Sequence, residues 1–149
     1  MRKVNRENLF NFVANYENIV IGEDKKGNKT TVADEFVAMY KLATRYVSSL
    51  NSLHNKKAGL TFSDVELSVE ELEAAQSRCF RLLRNACRKA LWLNSQCEQK
   101  TGERFVRVRL DMNNAEECSD FIHELFEAVN DTLSIIETGN VFTANTIVM

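Results

Sequence analysis

Two clusters of charged side chains hold whatever chemistry this sequence carries. The first is cationic: Arg78, Arg81, Arg84 and Arg88 recur at three- and four-residue spacing, and Arg104, Arg107 and Arg109 follow. The second is anionic: Glu116, Glu117, Asp120, Glu124, Glu127 and Asp131. From Arg78 to Arg109 nine basic residues face two acidic ones, a net of +7; from Leu110 to Met149 there are eight acidic residues and no Lys or Arg, a net of −8. The overall charge of −2 hides this division. Guanidinium forks suit phosphates, which they bind bidentately, so Arg78, Arg81, Arg84, Arg88, Arg104, Arg107 and Arg109 are the candidate nucleic-acid-binding set. Carboxylates four residues apart on a helix repel by about 0.2–0.5 kcal/mol a pair, so Glu116, Asp120, Glu124, Glu127 and Asp131 are the candidate protein interface, awaiting a cationic partner or the chain's own arginines. A solvated face is the bland reading of each. The arginines lie beyond Glu70, Glu71 and Glu73 along their helix, as its dipole prefers, and salt screens the acidic face.

Catalytic patterns are harder to assemble. Asp120-x-x-His123 has the spacing of half a di-iron site, but such a site needs two Glu-x-x-His pairs and two further glutamates. The chain has two histidines, and His54 is expected at a helix C-terminus. Glu116-Glu117-Cys118-Ser119-Asp120 with Glu124-x-x-Glu127 resembles the acidic helices of all-helical nucleoside triphosphate pyrophosphohydrolases. That resemblance implies a magnesium-dependent nucleotide hydrolase, but it covers short acidic spacings alone, and no second matching motif occurs. None of the five glycines forms a phosphate loop, and no Cys–His couple stands out. The residues give no catalytic constellation and call for no metal or cofactor.

The elements that must position these side chains are mostly helical. No proline interrupts the chain. A first helix is expected over Arg6–Tyr16 with Asn5 as cap, then a hairpin over about 18–32 around Gly27-Asn28. A second helix follows over about Val32–His54, opened by a Thr31–Asp34 capping box and ended by Asn55-Lys56-Lys57-Ala58-Gly59. The third runs over about 69–99, from a Ser68–Glu71 box to Gly102, with Leu72, Ala75, Cys79, Leu83, Ala86, Ala90, Leu93 and Cys97 as its apolar stripe. At about 45 Å it exceeds the ~38 Å diameter of a sphere of this chain length, so it should project or belong to an elongated bundle. Glu103–Leu110 alternates like a half-buried strand. A fourth helix is expected over about 115–138, capped by Asn114 and stopped by Gly139, and the uncharged tail Val141–Met149 is expected to add to a sheet edge.

The four cysteines read as buried thiols. Cys79, Cys87 and Cys97 share one helix at roughly 12–15 Å separations, too far to bridge, and only Cys118 could pair with one of them. The expected fold is a single domain, residues 1–149: a mainly α, elongated bundle of about four helices with a minor β-hairpin and edge strands. No apolar run reaches ~20 residues, and the basic N-terminus lacks a secretory core, so a cytoplasmic address is expected and no membrane partner. The expected function is a non-enzymatic protein-interaction module (a regulator, inhibitor or small subunit) that self-associates through its long third helix. The alternatives are a nucleic-acid-binding subunit using the arginines and a pyrophosphohydrolase-like enzyme.

Overall fold

The computed structural model describes residues 4–62 and 69–140. In chain order it contains α1 (Arg6–Tyr16), β1 (Val20–Glu23), β2 (Lys29–Thr31), α2 (Val32–Phe62), α3 (Val69–Thr101) and α4 (Ala115–Asn140). No helix among the described residues is long and apolar enough to cross a membrane. The expected Ser68 cap and the Val141–Met149 strand lie outside the described residues.

The local signals explain each helix start. Asn5 accepts a hydrogen bond from the Asn8 backbone N–H at 3.0 Å, which satisfies one of the free donors opening α1. The β1–β2 hairpin is antiparallel, with Val20 opposite Thr31 and Glu23 opposite Lys29. Its turn is held by Asp24, whose carboxylate accepts from the N–H groups of Lys26 and Asn28, while Gly27 supplies φ +84°. The chain enters α2 directly from β2. Thr31 and Asp34 exchange reciprocal bonds of 2.9 and 3.2 Å, and the N–H groups of Val32 and Ala33 reach back to the carbonyls of Ile19 and Glu17. Asn114 caps α4 through the Glu117 N–H at 3.0 Å.

α2 and α3 run antiparallel: Glu35 meets Lys89 near the start of α2, and Leu53 lies beside Gln76 and Cys79 further along. The 33 residues of α3 are therefore matched along much of their length by the 31 of α2. Of its expected apolar stripe, Ala75, Cys79, Leu83, Ala86, Ala90, Leu93 and Cys97 are buried within this one chain, with Cys87 beside them, and Leu72 is half-buried. Cys118, Phe121, Ile122, Leu125 and Val129 bring α4 into the same core. Phe12, Phe36 and Phe105 join α1, α2 and the chain after α3, with Phe36 and Phe105 edge to face at 4.8 Å.

Three expectations are corrected. α2 does not end at Asn55–Gly59 but continues to Phe62, which leaves His54 inside the helix rather than at its end. α4 likewise passes through Gly139 to Asn140. An interior glycine costs a helix only about 1 kcal/mol, too little to stop one by itself. Gly102 does end α3, because it adopts φ +80° and its N–H bonds back to the Glu98 carbonyl at 2.9 Å. The third correction is the strand expected over Glu103–Leu110. Its exposure alternates only from Val106 to Leu110, because Phe105 and Val106 are both buried, and it pairs with no other strand among the described residues.

A buried polar cluster seats the hairpin. The Glu35 carboxylate, 6% exposed, accepts from Lys89 at 2.9 Å, and Lys89 also lies 4.4 Å from the ring centroid of half-exposed Trp92. Gly22 gives this cluster its room, since a Cβ there would sit 2.8 Å from the Glu35 carboxylate and 2.9 Å from the Thr30 hydroxyl.

Candidate interaction surface

What replaces the missing strand partner is one side chain. Asn94 points from α3 into the core, where its Oδ1 accepts from the N–H groups of Phe105 and Val106 at 3.0 and 3.3 Å. Its Nδ2 donates to the Val106 carbonyl at 2.9 Å. This carboxamide offers the passing backbone both an acceptor and a donor, as a neighbouring strand would. Thr101 secures the preceding turn by accepting from the Glu103 N–H at 3.1 Å. Residues 103–106 are thereby fixed against α3, and Phe105 is locked into the aromatic core.

Beyond that anchor the chain borders a groove of about 820 Å³. One wall is α1, which contributes Asn8, Asn11 and Asn15; the other carries Arg104, Arg107 and Arg109. The three asparagines share a helix face because their spacing is three and four residues. Arg104 is held in a two-pronged ion pair with Glu98, which lowers the Glu98 carboxyl below the usual carboxylate range. Arg107 and Arg109 are exposed, and among the described residues their side chains form no hydrogen bond or salt bridge. The amides of Asn11 and Asn15 likewise form no hydrogen bond among the described residues.

The other arginines lie elsewhere. Arg78, Arg81 and Arg88 are exposed along the outer face of α3. Arg88 and Glu98 are separated by about 15 Å of helical rise and about 80° of rotation, so the α3 arginines and the groove are two basic areas rather than one. Arg84 departs from the expected exposed stripe: it is half-buried, its guanidinium carbon is 5.7 Å from the Phe80 ring centroid, and its Nε is buried with no hydrogen-bond partner among the described residues.

The acidic face of α4 is partly answered from within. Arg6 of α1 bridges Glu127 at 2.7 Å and Asp131 at 3.1 Å, and Glu124 accepts from the Val4 N–H. The cation on that end of α4 is thus not one of the α3 arginines. Glu116 and Asp120 remain exposed on the first half of the helix. The Arg6 pair was absent from the sequence reading, although a lone arginine opening an amphipathic helix in a chain with an acidic helix elsewhere is a usable signal.

His123, Ser119 and the four cysteines are held in contacts or buried among the described residues. His123 is held by its neighbours: its Nδ1 lies 2.8 Å from the Ser119 carbonyl, and its ring meets Tyr46 edge-on at 5.8 Å. Nδ1–H donating to that carbonyl leaves Nδ1 no lone pair to accept the Ser119 proton, although Ser119 Oγ is 3.3 Å away. The Ser119 hydroxyl pairs instead with Tyr46 at 2.7 Å. All four cysteines are free and buried. Burial pushes the Cys87 and Cys118 thiols up, and burial together with the Glu35 carboxylate takes Cys97 to about 12, the opposite of what a nucleophile needs. No three His, Cys, Asp or Glu side chains converge as a metal site would require, among the described residues.

No known protein family matches this chain, and neither a curated protein nor a solved structure is significantly similar to it.

Proposed function

We propose that the chain is a non-enzymatic interaction module that holds an anionic partner in the groove between α1 and residues 103–110. One observation carries this reading: Arg107, Arg109 and the asparagine face of α1 converge on one concavity, their side chains without hydrogen bonds among the described residues, beside backbone that buried Asn94 fixes at Phe105 and Val106. Because Asn94 holds the adjoining backbone at Phe105 and Val106, binding here orders mainly side chains, which limits the conformational cost. The test is amide chemical-shift mapping of the full chain with a ten-residue acidic peptide at ~150 mM salt. Shifts confined to Asn8–Asn15 and Glu103–Leu110, abolished by Arg107→Glu with Arg109→Glu, are the expected result. An unperturbed groove refutes it.

Nucleic-acid binding is the second reading, favoured by exposed Arg78, Arg81 and Arg88 on α3. It predicts binding of an oligonucleotide whose affinity falls steeply with salt and weakens on Arg81→Ala with Arg88→Ala.

A further inference from the structure

We propose that Arg107–Leu110 is an open strand edge onto which an extended acidic peptide adds. The inference rests on the groove reading above and names the partner's conformation and chemistry. Its first support is the backbone. Asn94 satisfies Phe105 and Val106, and Asp111 N–H donates to Glu117 at 3.4 Å. Between them, the N–H and C=O groups of Arg107, Val108, Arg109 and Leu110 have no protein partner among the described residues. Four residues of strand present about 13 Å of edge.

The side chains give the second support. Exposure alternates from Arg107 to Leu110: each arginine is exposed, and Val108 and Leu110 are half-buried against the core. This period of two is the pattern a pleated strand shows with one face covered. The apolar residues hold the segment to the protein, and its outer face carries the guanidinium groups. Added strands of this kind draw affinity from the main chain and specificity from alternate side chains.

Charge selects the occupant. Arg107 and Arg109 are two residues apart, roughly 7 Å in a strand, the repeat at which alternate carboxylates recur on an extended peptide. The same segment of a second copy would set arginine opposite arginine and repel. An uncharged strand would leave both guanidinium groups unanswered. The amides of Asn8, Asn11 and Asn15 line the opposite wall, where their NH2 groups can donate to the outward carbonyls of the added strand and leave its outward N–H groups to water.

The experiment uses the full chain and five probes: a ten-residue peptide alternating Glu and Thr, its Gln/Thr counterpart, two Glu/Thr versions N-methylated at either alternate set of residues, and a ten-nucleotide single strand. Strand addition presents every second amide of the peptide to the protein. One N-methylated version should therefore bind about tenfold or more weaker than the parent and the other should bind almost unchanged. The Gln/Thr peptide and the Arg107→Gln, Arg109→Gln double variant should each cost a similar factor, with the variant's helical circular dichroism unchanged. Equal binding of both N-methylated peptides overturns strand addition while leaving the groove reading intact. Equal binding of the Gln/Thr peptide overturns the acidic occupant. Failure of every peptide to perturb the groove, or binding there of a ten-nucleotide single strand alone, overturns the proposal.

Discussion

Asn94 is the residue on which the candidate surface depends. Replacing it by Leu would retain the volume but leave the N–H groups of Phe105 and Val106 and the Val106 carbonyl unsatisfied in the core. Asn94→Leu is expected to lower stability by roughly 2–4 kcal/mol in urea unfolding, since each stranded polar group costs about 1–3 kcal/mol and local rearrangement recovers part of that. The residue was legible in principle: it follows Leu93 and precedes Cys97 by three, so helical phase puts it on the buried face of α3. A lone carboxamide among apolar neighbours is a sign of a backbone contact, but nothing in the sequence says which backbone. The cysteines give a second expectation at this scale. A thiol that titrates near 9.0 when unfolded and near 12 in place, as Cys97 does, favours the folded state fully below pH 9. The folded chain then holds a proton that the unfolded chain has lost, so stability should fall as pH rises from about 9 towards 12. Thermal melts across that window, together with slow alkylation by iodoacetamide at pH 8 until denaturant is added, check it.

At the scale of elements, helices were legible and their ends only partly so. Caps act through bonds within four residues, which is why Asn5, the Thr31–Asp34 box, Asn114 and Gly102 all stood out in the sequence and all close in the structure. Gly59 and Gly139 misled because a glycine stops a helix only when the chain turns there, and that depends on tertiary packing. The Glu103–Leu110 alternation reported burial correctly only from Val106 onward, since Phe105 is buried beside Val106, and it could not report pairing, because a strand needs a partner that periodicity cannot supply. Most of the candidate groove was hidden for the same reason. Arg104, Arg107 and Arg109 could be named, but Asn8, Asn11 and Asn15 join them only through the packing of α1 beside residues 103–110. The hairpin supplies the testable element. Gly22→Ala would press a methyl group against Glu35 and Thr30, push the carboxylate off Lys89 and loosen β1 from α3. A loss of about 1–3 kcal/mol is expected from such overpacking, read by chemical denaturation, with α1, α3 and α4 retained. No loss would show that Glu35 repacks freely.

For the molecule as a whole, the division of charge is partly closed within the chain. Arg6 takes up Glu127 and Asp131, so the acidic helix finds a cation in its own chain, and the apolar stripe that made α3 a candidate for self-association is buried in its own fold. Sedimentation velocity at micromolar concentration should therefore give the 17.1 kDa protomer. A larger species that dissociates with salt would instead point to Arg78, Arg81 and Arg88 meeting Glu116 and Asp120 of a second copy. Arg6→Glu should weaken the docking of α1 on α4 only modestly, by ~1 kcal/mol, because both ion pairs are about half exposed.

The chain's single tryptophan happens to sit where the hairpin meets α3, half in solvent and beneath an ammonium group. Its emission is therefore a local optical gauge of hairpin seating. Release of Lys89 from the indole face would change intensity and wavelength before the helices melt. Circular dichroism follows those helices instead. A gap between the two transitions would measure how far the hairpin opens independently of the bundle, with no label added to the protein.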